Sequence, residues 1–207
     1  MKIMVKVNQL IPDFSTTGYE SISILCFFTV TATTEIYTLA LHAALPIVLP
    51  KDTALMTVFN RYGETSKPGQ GVLEGWGEWS GAIATTILHD SHNLAVFGYD
   101  PDDMAAAANA LIACGGGMAV AKDGKVVAML DLPVCGLLST AEPEDVAVLF
   151  QKVRDAAADV STWEGLPVMI KLIIGASLAC NPGPHVTDLG ITDGMTGRIV
   201  TDMVIPA

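Results

Sequence analysis

Basic residues are scarce in this 207-residue chain: 11 Lys and Arg stand against 22 Asp and Glu, a formal net charge of −11. The few cations are scattered, so no basic patch exists to neutralise phosphates, and nucleic-acid binding is excluded as a function. Cysteine chemistry is equally thin. Cys26, Cys114, Cys135 and Cys180 lie far apart, form no CxxC pair and match no zinc-site spacing. They read as buried, reduced thiols of a cytoplasmic protein. A secretory signal is missing as well, because residues 1–7 are not followed promptly by an apolar stretch and a small-residue cleavage site. Charged residues make up only 16% of the chain and apolar residues 51%. Such a composition suits either a membrane segment or a piece of a larger protein whose other parts would cover apolar surface.

The membrane reading has one candidate, residues 22–49. Glu35 sits near its middle, and a carboxylate at bilayer depth costs roughly 2.5–3.5 kcal/mol on insertion scales. Pro46 closes the run and no basic flank sets an orientation, so a membrane span is disfavoured. Residues 31–47, TATTEIYTLALHAALPI, look instead like the translation of a sequencing-adapter read-through, as found in metagenomic and other shotgun assemblies. The expected organisation is therefore an N-terminal piece, 1–26, whose first ten residues alternate like a strand of the same domain. An artefactual or unstructured insert, 27–47, follows, and then one domain over 48–207.

That domain carries the punctuation of an α+β fold, a mixed β-sheet with packed helices in one compact unit. Residues 54–59, 80–88 and 94–99 read as strands, and 65–71 as a loop. Asp100 suits an N-cap, with Pro101 at the first helical position and Asp102 and Asp103 against the helix dipole. Met104, Ala108, Leu111 and Ile112 recur at helical spacing until Gly115-Gly116-Gly117 stops the helix. Asp123-Gly124 between two apolar runs predicts a two-residue hairpin. A second helix is expected over 143–160, with Val146, Leu149, Phe150 and Val153 on one face. Residues 166–179 read as a buried helix or strand, too short to span a bilayer comfortably.

The one dense polar cluster is His89-Asp90-Ser91-His92-Asn93, set between two apolar strands. A junction of this kind can aim several side chains at one cavity. Equally, Asp90, Ser91 and Asn93 can hydrogen-bond a tight turn while the imidazoles pack or face solvent. His89 and His92 with Asp90 fall short of a closed zinc site. The glycine triad follows a helix, the reverse of the order in which a glycine-rich loop cradles phosphate. Trp76 and Trp79 read as core in preference to an apolar lid or domain interface, and His185, near Pro182 and Pro184, as a surface loop residue.

Residues 75–139 resemble the C-terminal domain of adenine deaminases. The likeness lies in an ordered series: Ser80-Gly81-Ala82-Ile83-Ala84, the HDSHN pentad, Asp102-Asp103-Met104, Gly115-Gly116-Gly117, Lys122-Asp123-Gly124, and Leu132-Pro133 to Gly136-Leu137. Asn60-Arg61-Tyr62-Gly63 extends it upstream. The family's Asn-Pro-Phe-Met stretch is only faintly echoed by Gly165-Leu166-Pro167-Val168-Met169. The resemblance implies hydrolysis of adenine to hypoxanthine and ammonia at a manganese or iron centre inside an amidohydrolase-type (β/α)₈ barrel. That barrel's His-x-His pair does not occur here, so the chain alone is expected to be inactive and to hold no metal. The missing barrel is then its partner. His89, Asp90 and His92 become candidates for catalysis, and Ser91 and Asn93 for substrate contact. The competing reading is a free-standing purine-binding or self-associating module, a homo-oligomer without catalysis.

Overall fold

Seven strands pair into an antiparallel sheet that is covered on both faces. The computed structural model describes residues 51–62, 68–164 and 167–199, with the backbone alone at Ser23–Leu25. The strands are β1 (Ser23–Leu25), β2 (Thr53–Phe59), β3 (Gly69–Glu74), β4 (Ala82–Thr85), β5 (Leu94–Gly98), β6 (Gly117–Lys122) and β7 (Lys125–Asp131). Their spatial order is β1-β3-β2-β5-β4-β6-β7, and each neighbouring pair is antiparallel. Helix α1 (Pro101–Cys114) covers one face. The other is covered by helix α2 (Pro143–Asp159), a helical turn α3 (Val168–Ile170) that runs into a π-helical turn (Lys171–Ala176), and a small three-stranded sheet. That sheet consists of β8 (Pro184–Thr187), β9 (Gly190–Asp193) and β10 (Arg198–Ile199). The α+β class expected from the sequence is the one observed, and the sheet does not close into a barrel. The 27–47 insert and the strand expected in the first ten residues lie outside the described residues.

Burial of both faces explains why the strands read as continuous apolar runs. Ala54, Met56 and Val58 of β2 enter the core beneath α2, while Leu55 and Phe59 face α1. Ala95 and Phe97 of β5 likewise oppose Leu94 and Val96. The two cores differ in grain. Toward α1 the sheet offers Ala82, Ala84, Ala119 and Ala121, and the helix answers with Ala105, Ala107 and Ala108. Small residues on both sides let the helix approach closely. Gly98 shows how closely, since a Cβ there would meet the Ala82 Cβ at 2.8 Å and the Met104 Cγ at 3.0 Å. The opposite core is built from Trp76, Phe97, Leu73, Ile83 and Leu172, all fully buried. Each such side chain contributes roughly 1.5–3 kcal/mol by leaving water, which makes the sheet a rigid base for its loops.

Local signals hold where they are strong. The Asp100 carboxylate accepts from the amides of Asp102 and Asp103 at 2.9 and 3.2 Å, and Gly115 ends α1 at φ 89°. The hairpin turns on Asp123 (φ 53°) and Gly124 (φ 70°). Other expectations need correction. The stretch 65–71, taken for a loop, contains the start of β3, whose glycines hid its strand character. Gly69 lies there against the Thr187 carbonyl, where a Cβ would overlap it. β4 is only four residues long, so the turn it feeds begins at Thr86. Phe150 is exposed, because only Val153 and Ala157 of α2, one turn apart, are fully covered, and Ile112 lies on the exposed side of α1. The three thiols among the described residues are not buried: Cys114 is half-exposed, Cys135 and Cys180 are exposed, and all three are free.

Candidate functional site

One end of the sheet collects most of the unusual chemistry. The chain leaves β2 at Asn60-Arg61-Tyr62, leaves β4 at Thr86, enters β6 through Gly115–Gly117 and leaves β7 at Leu132. The β8–β9 turn joins the same end, where Asn60 Nδ2 donates to Asp188 Oδ2 at 2.8 Å. The pentad forms the loop between β4 and β5. Its amide at His92 donates to the Leu88 carbonyl at 2.7 Å, closing the turn, and the Asn93 amide donates to Ser91 Oγ at 3.3 Å.

Each member of the pentad has a distinct place. His89, Asp90 and Ser91 are exposed at the tip. His89 Nδ1 lies 3.3 Å from Asp90 Oδ1, a contact that orients the imidazole and becomes an ion pair only when the ring is protonated. The His89 and His92 rings are neighbours, with centroids 5.8 Å apart. His92 is half-buried at φ 51°, and its Nδ1 is buried with no hydrogen-bond partner among the described residues. Asn93 is buried, and its side-chain oxygen accepts from the Arg61 amide at 3.2 Å. Asn93 and Ser91 hold the turn, while His89, Asp90 and His92 are presented by it.

Residues that sequence reasoning had not assigned to the site hold it in place. Arg61 Nε donates to the His92 carbonyl at 2.6 Å, and a second guanidinium nitrogen donates to the Cys135 carbonyl. The Tyr62 hydroxyl reaches the same His92 carbonyl at 3.3 Å, and the guanidinium carbon sits 5.2 Å from the centre of the Tyr62 ring. Thr86 Oγ1 donates to the Gly136 carbonyl at 2.6 Å and accepts from the Gly117 amide at 2.8 Å. Gly116 packs on Gly136 so tightly that a Cβ would come within 2.5 Å of its Cα. The glycine triad is therefore a close-approach element as well as a helix stop. Asn60-Arg61-Tyr62-Gly63 was the available signal, a polar motif directly after a strand.

His185 was expected on a surface loop and is instead inside strand β8, only 4% exposed. Both His185 and Val186 of β8 are buried, with His185 close to the π-helical turn. Burial pushes its pKa below the usual histidine value, opposed by the surrounding carbonyls of Asn181, Pro182, Ala176 and Gly175. Among the described residues neither ring nitrogen meets a partner in hydrogen-bonding geometry. Trp76 and Trp79 are core residues as expected, joined by a 3.1 Å hydrogen bond from the Trp79 indole to the Trp76 carbonyl. Among the described residues no three His, Cys, Asp or Glu side chains come together as a metal-holding group. Nor is any described helix long and apolar enough to cross a membrane. The pentad can exchange hydrogen bonds and take up a proton, but its residues do not by themselves surround one point with nucleophile, base and oxyanion donors.

Comparison with known proteins fits this arrangement. Residues 29–198 match the model of the adenine deaminase C-terminal domain. Adenine deaminase 2 of Rhizobium meliloti is 51% identical over 160 residues, covering 77% of this chain and 27% of that protein. The adenine deaminase of Serratia proteamaculans is 46% identical over 159 residues (76% of this chain, 27% of the relative), and that of Clostridium botulinum 41% over 143 (69% and 24%). The chain thus spans about a quarter of the length of the curated relatives it matches. By the extent of the model match, the chain belongs to the adenine deaminase C-terminal domain family.

Proposed function

We propose that this domain serves a metal-dependent adenine deaminase, a cytoplasmic hydrolase converting adenine to hypoxanthine and ammonia, and that its pentad end faces a catalytic barrel in the rest of a longer polypeptide. The names and lengths of the relatives support the reading. The observation that carries it is the exposed His89-Asp90 pair beside the His92 ring at the tip of a loop whose turn is held by Ser91 and Asn93. Manganese or iron would be held by barrel side chains, because two imidazoles and a carboxylate engaged with one of them do not fit as its full ligand set. His89 and His92 would exchange protons or hydrogen bonds with groups at the barrel mouth, and Asp90 would fix the orientation of His89. Ser91, exposed beside them, would contact substrate, whereas Asn93 shapes the turn. The isolated domain would not deaminate adenine.

A chimera tests the reading: the matching quarter of a longer relative is exchanged for residues 51–199 of this chain, and ammonia release from adenine is measured. Turnover near that of the parent, with none from the 207-residue chain alone, is the expected outcome. A chimera that folds and leaves adenine untouched would overturn it.

A further inference from the structure

We propose that Arg61 is the positioning residue of the pentad, a clamp that sets the orientation of His92 by gripping two left-handed backbone turns at once. This rests on the reading of the pentad given above. Among the described residues three non-glycine positions have positive φ: His92 (51°), Asp123 (53°) and Cys135 (58°). Asp123 belongs to its hairpin. The other two lie in separate loops, 43 residues apart in the chain, and the Arg61 side chain donates to the carbonyls of both. A side chain other than glycine avoids this conformation unless its surroundings impose it. At His92 the imposed φ decides where the imidazole points, so the group that holds the carbonyl also aims the ring.

The site is made for a guanidinium. Its planar fork offers donors in two directions at once, which a lysine ammonium at the end of a flexible stem cannot reproduce at the same spacing. Gly136 leaves the room: a Cβ there would lie 2.6 Å from one guanidinium nitrogen. Thr86 fixes the Gly136 carbonyl from the far side, and the Tyr62 ring and hydroxyl close the near side. The Arg61 amide bonds to Asn93 through the backbone, so changing the side chain leaves that tie intact. Substitution at Arg61 therefore releases the two carbonyls while β2 and its register remain.

Three variants test the clamp: Arg61→Lys, which keeps the charge; Arg61→Ala; and Gly136→Ala, which displaces the guanidinium without removing it. In the 207-residue chain, NMR spectra of the His89 and His92 rings and of the backbone amides are compared. All three variants are expected to shift the His92 ring signals and the amides of both the 89–93 and 134–138 loops together, with the amides of β4 to β6 unmoved. In the chimera, Arg61→Lys is expected to lower kcat about tenfold with KM changed less than about twofold, the pattern of a misplaced group. His89→Ala in the same chimera separates the two ideas. If it leaves kcat unchanged the pentad reading fails, and the clamp is then judged on the ring signals. If His89→Ala lowers kcat while Arg61→Lys does not, or if the His92 ring signals stay fixed in Arg61→Lys and Gly136→Ala, the clamp is overturned.

Discussion

At one end of the seven-stranded sheet Asp100 caps the helix that follows it, and the buried carboxylate of Asp103 accepts from the Gly124 amide at 2.6 Å to join helix to hairpin. At the other end Arg61 joins residues 31 and 74 positions away, and Thr86 reaches one 50 positions away. The first end is assembled from local capping and turn chemistry with one tie added. The second exists only once four separate segments have met. The second end is therefore shaped by contacts between its loops more than by the local sequence of any one of them.

The comparison can be broken most forcefully at Gly117. Its φ of 140° and the Leu130 carbonyl against it leave no place for a Cβ, so Gly117→Ala should cost more than about 3 kcal/mol in urea unfolding. A loss under about 1 kcal/mol would show that the pentad end yields easily. Thr86→Val comes next. It strips the Gly136 carbonyl of a donor and the buried Gly117 amide of an acceptor, and should cost about 1–3 kcal/mol. Asp100→Ala, at the local end, removes only a cap and should cost about 1 kcal/mol. If it proves more damaging than Thr86→Val, the ranking of the two ends is reversed.

The smallest effects are in pH. His185 is held neutral by burial, so its folded pKa lies below 6.5 and its contribution to stability is complete above that pH and lost as pH falls through it. Asp103 has the opposite sign. Desolvation raises its carboxyl above 3.8, outweighing the Gly124 hydrogen bond, so its contribution is complete below that value and lost as pH rises through the raised one. His185→Phe should flatten the loss of stability on the acid side of a profile, and Asp103→Asn the loss as pH rises above 3.8. A profile unchanged by either substitution would remove titration from the account of both groups.

Legibility followed the range of the interactions. Asp100-Pro101, Gly115 and Asp123-Gly124 act on their immediate neighbours, and each was readable as a cap, a stop or a turn. The start of β3 was not, because Gly69 and Gly71 weaken local strand preference and only pairing with β2 supplies it. His185 was misplaced because its proline neighbours suggested a loop, while the packing of β8 against the π-helical turn decided its burial. The pentad was visible as a polar cluster, but which of its members point outward and which hold the turn depended on Arg61, whose partners the sequence does not announce.

The sequence by itself determined the α+β class, the helix ends, the hairpin and the family, since these rest on short-range stereochemistry and on the order of motifs. Only the tertiary structure decided that Asn93 faces inward, that His92 is half-buried beside His89 and that Arg61 grips two carbonyls. Those outcomes depend on segments far apart in the chain being brought within hydrogen-bonding distance, which no local preference encodes.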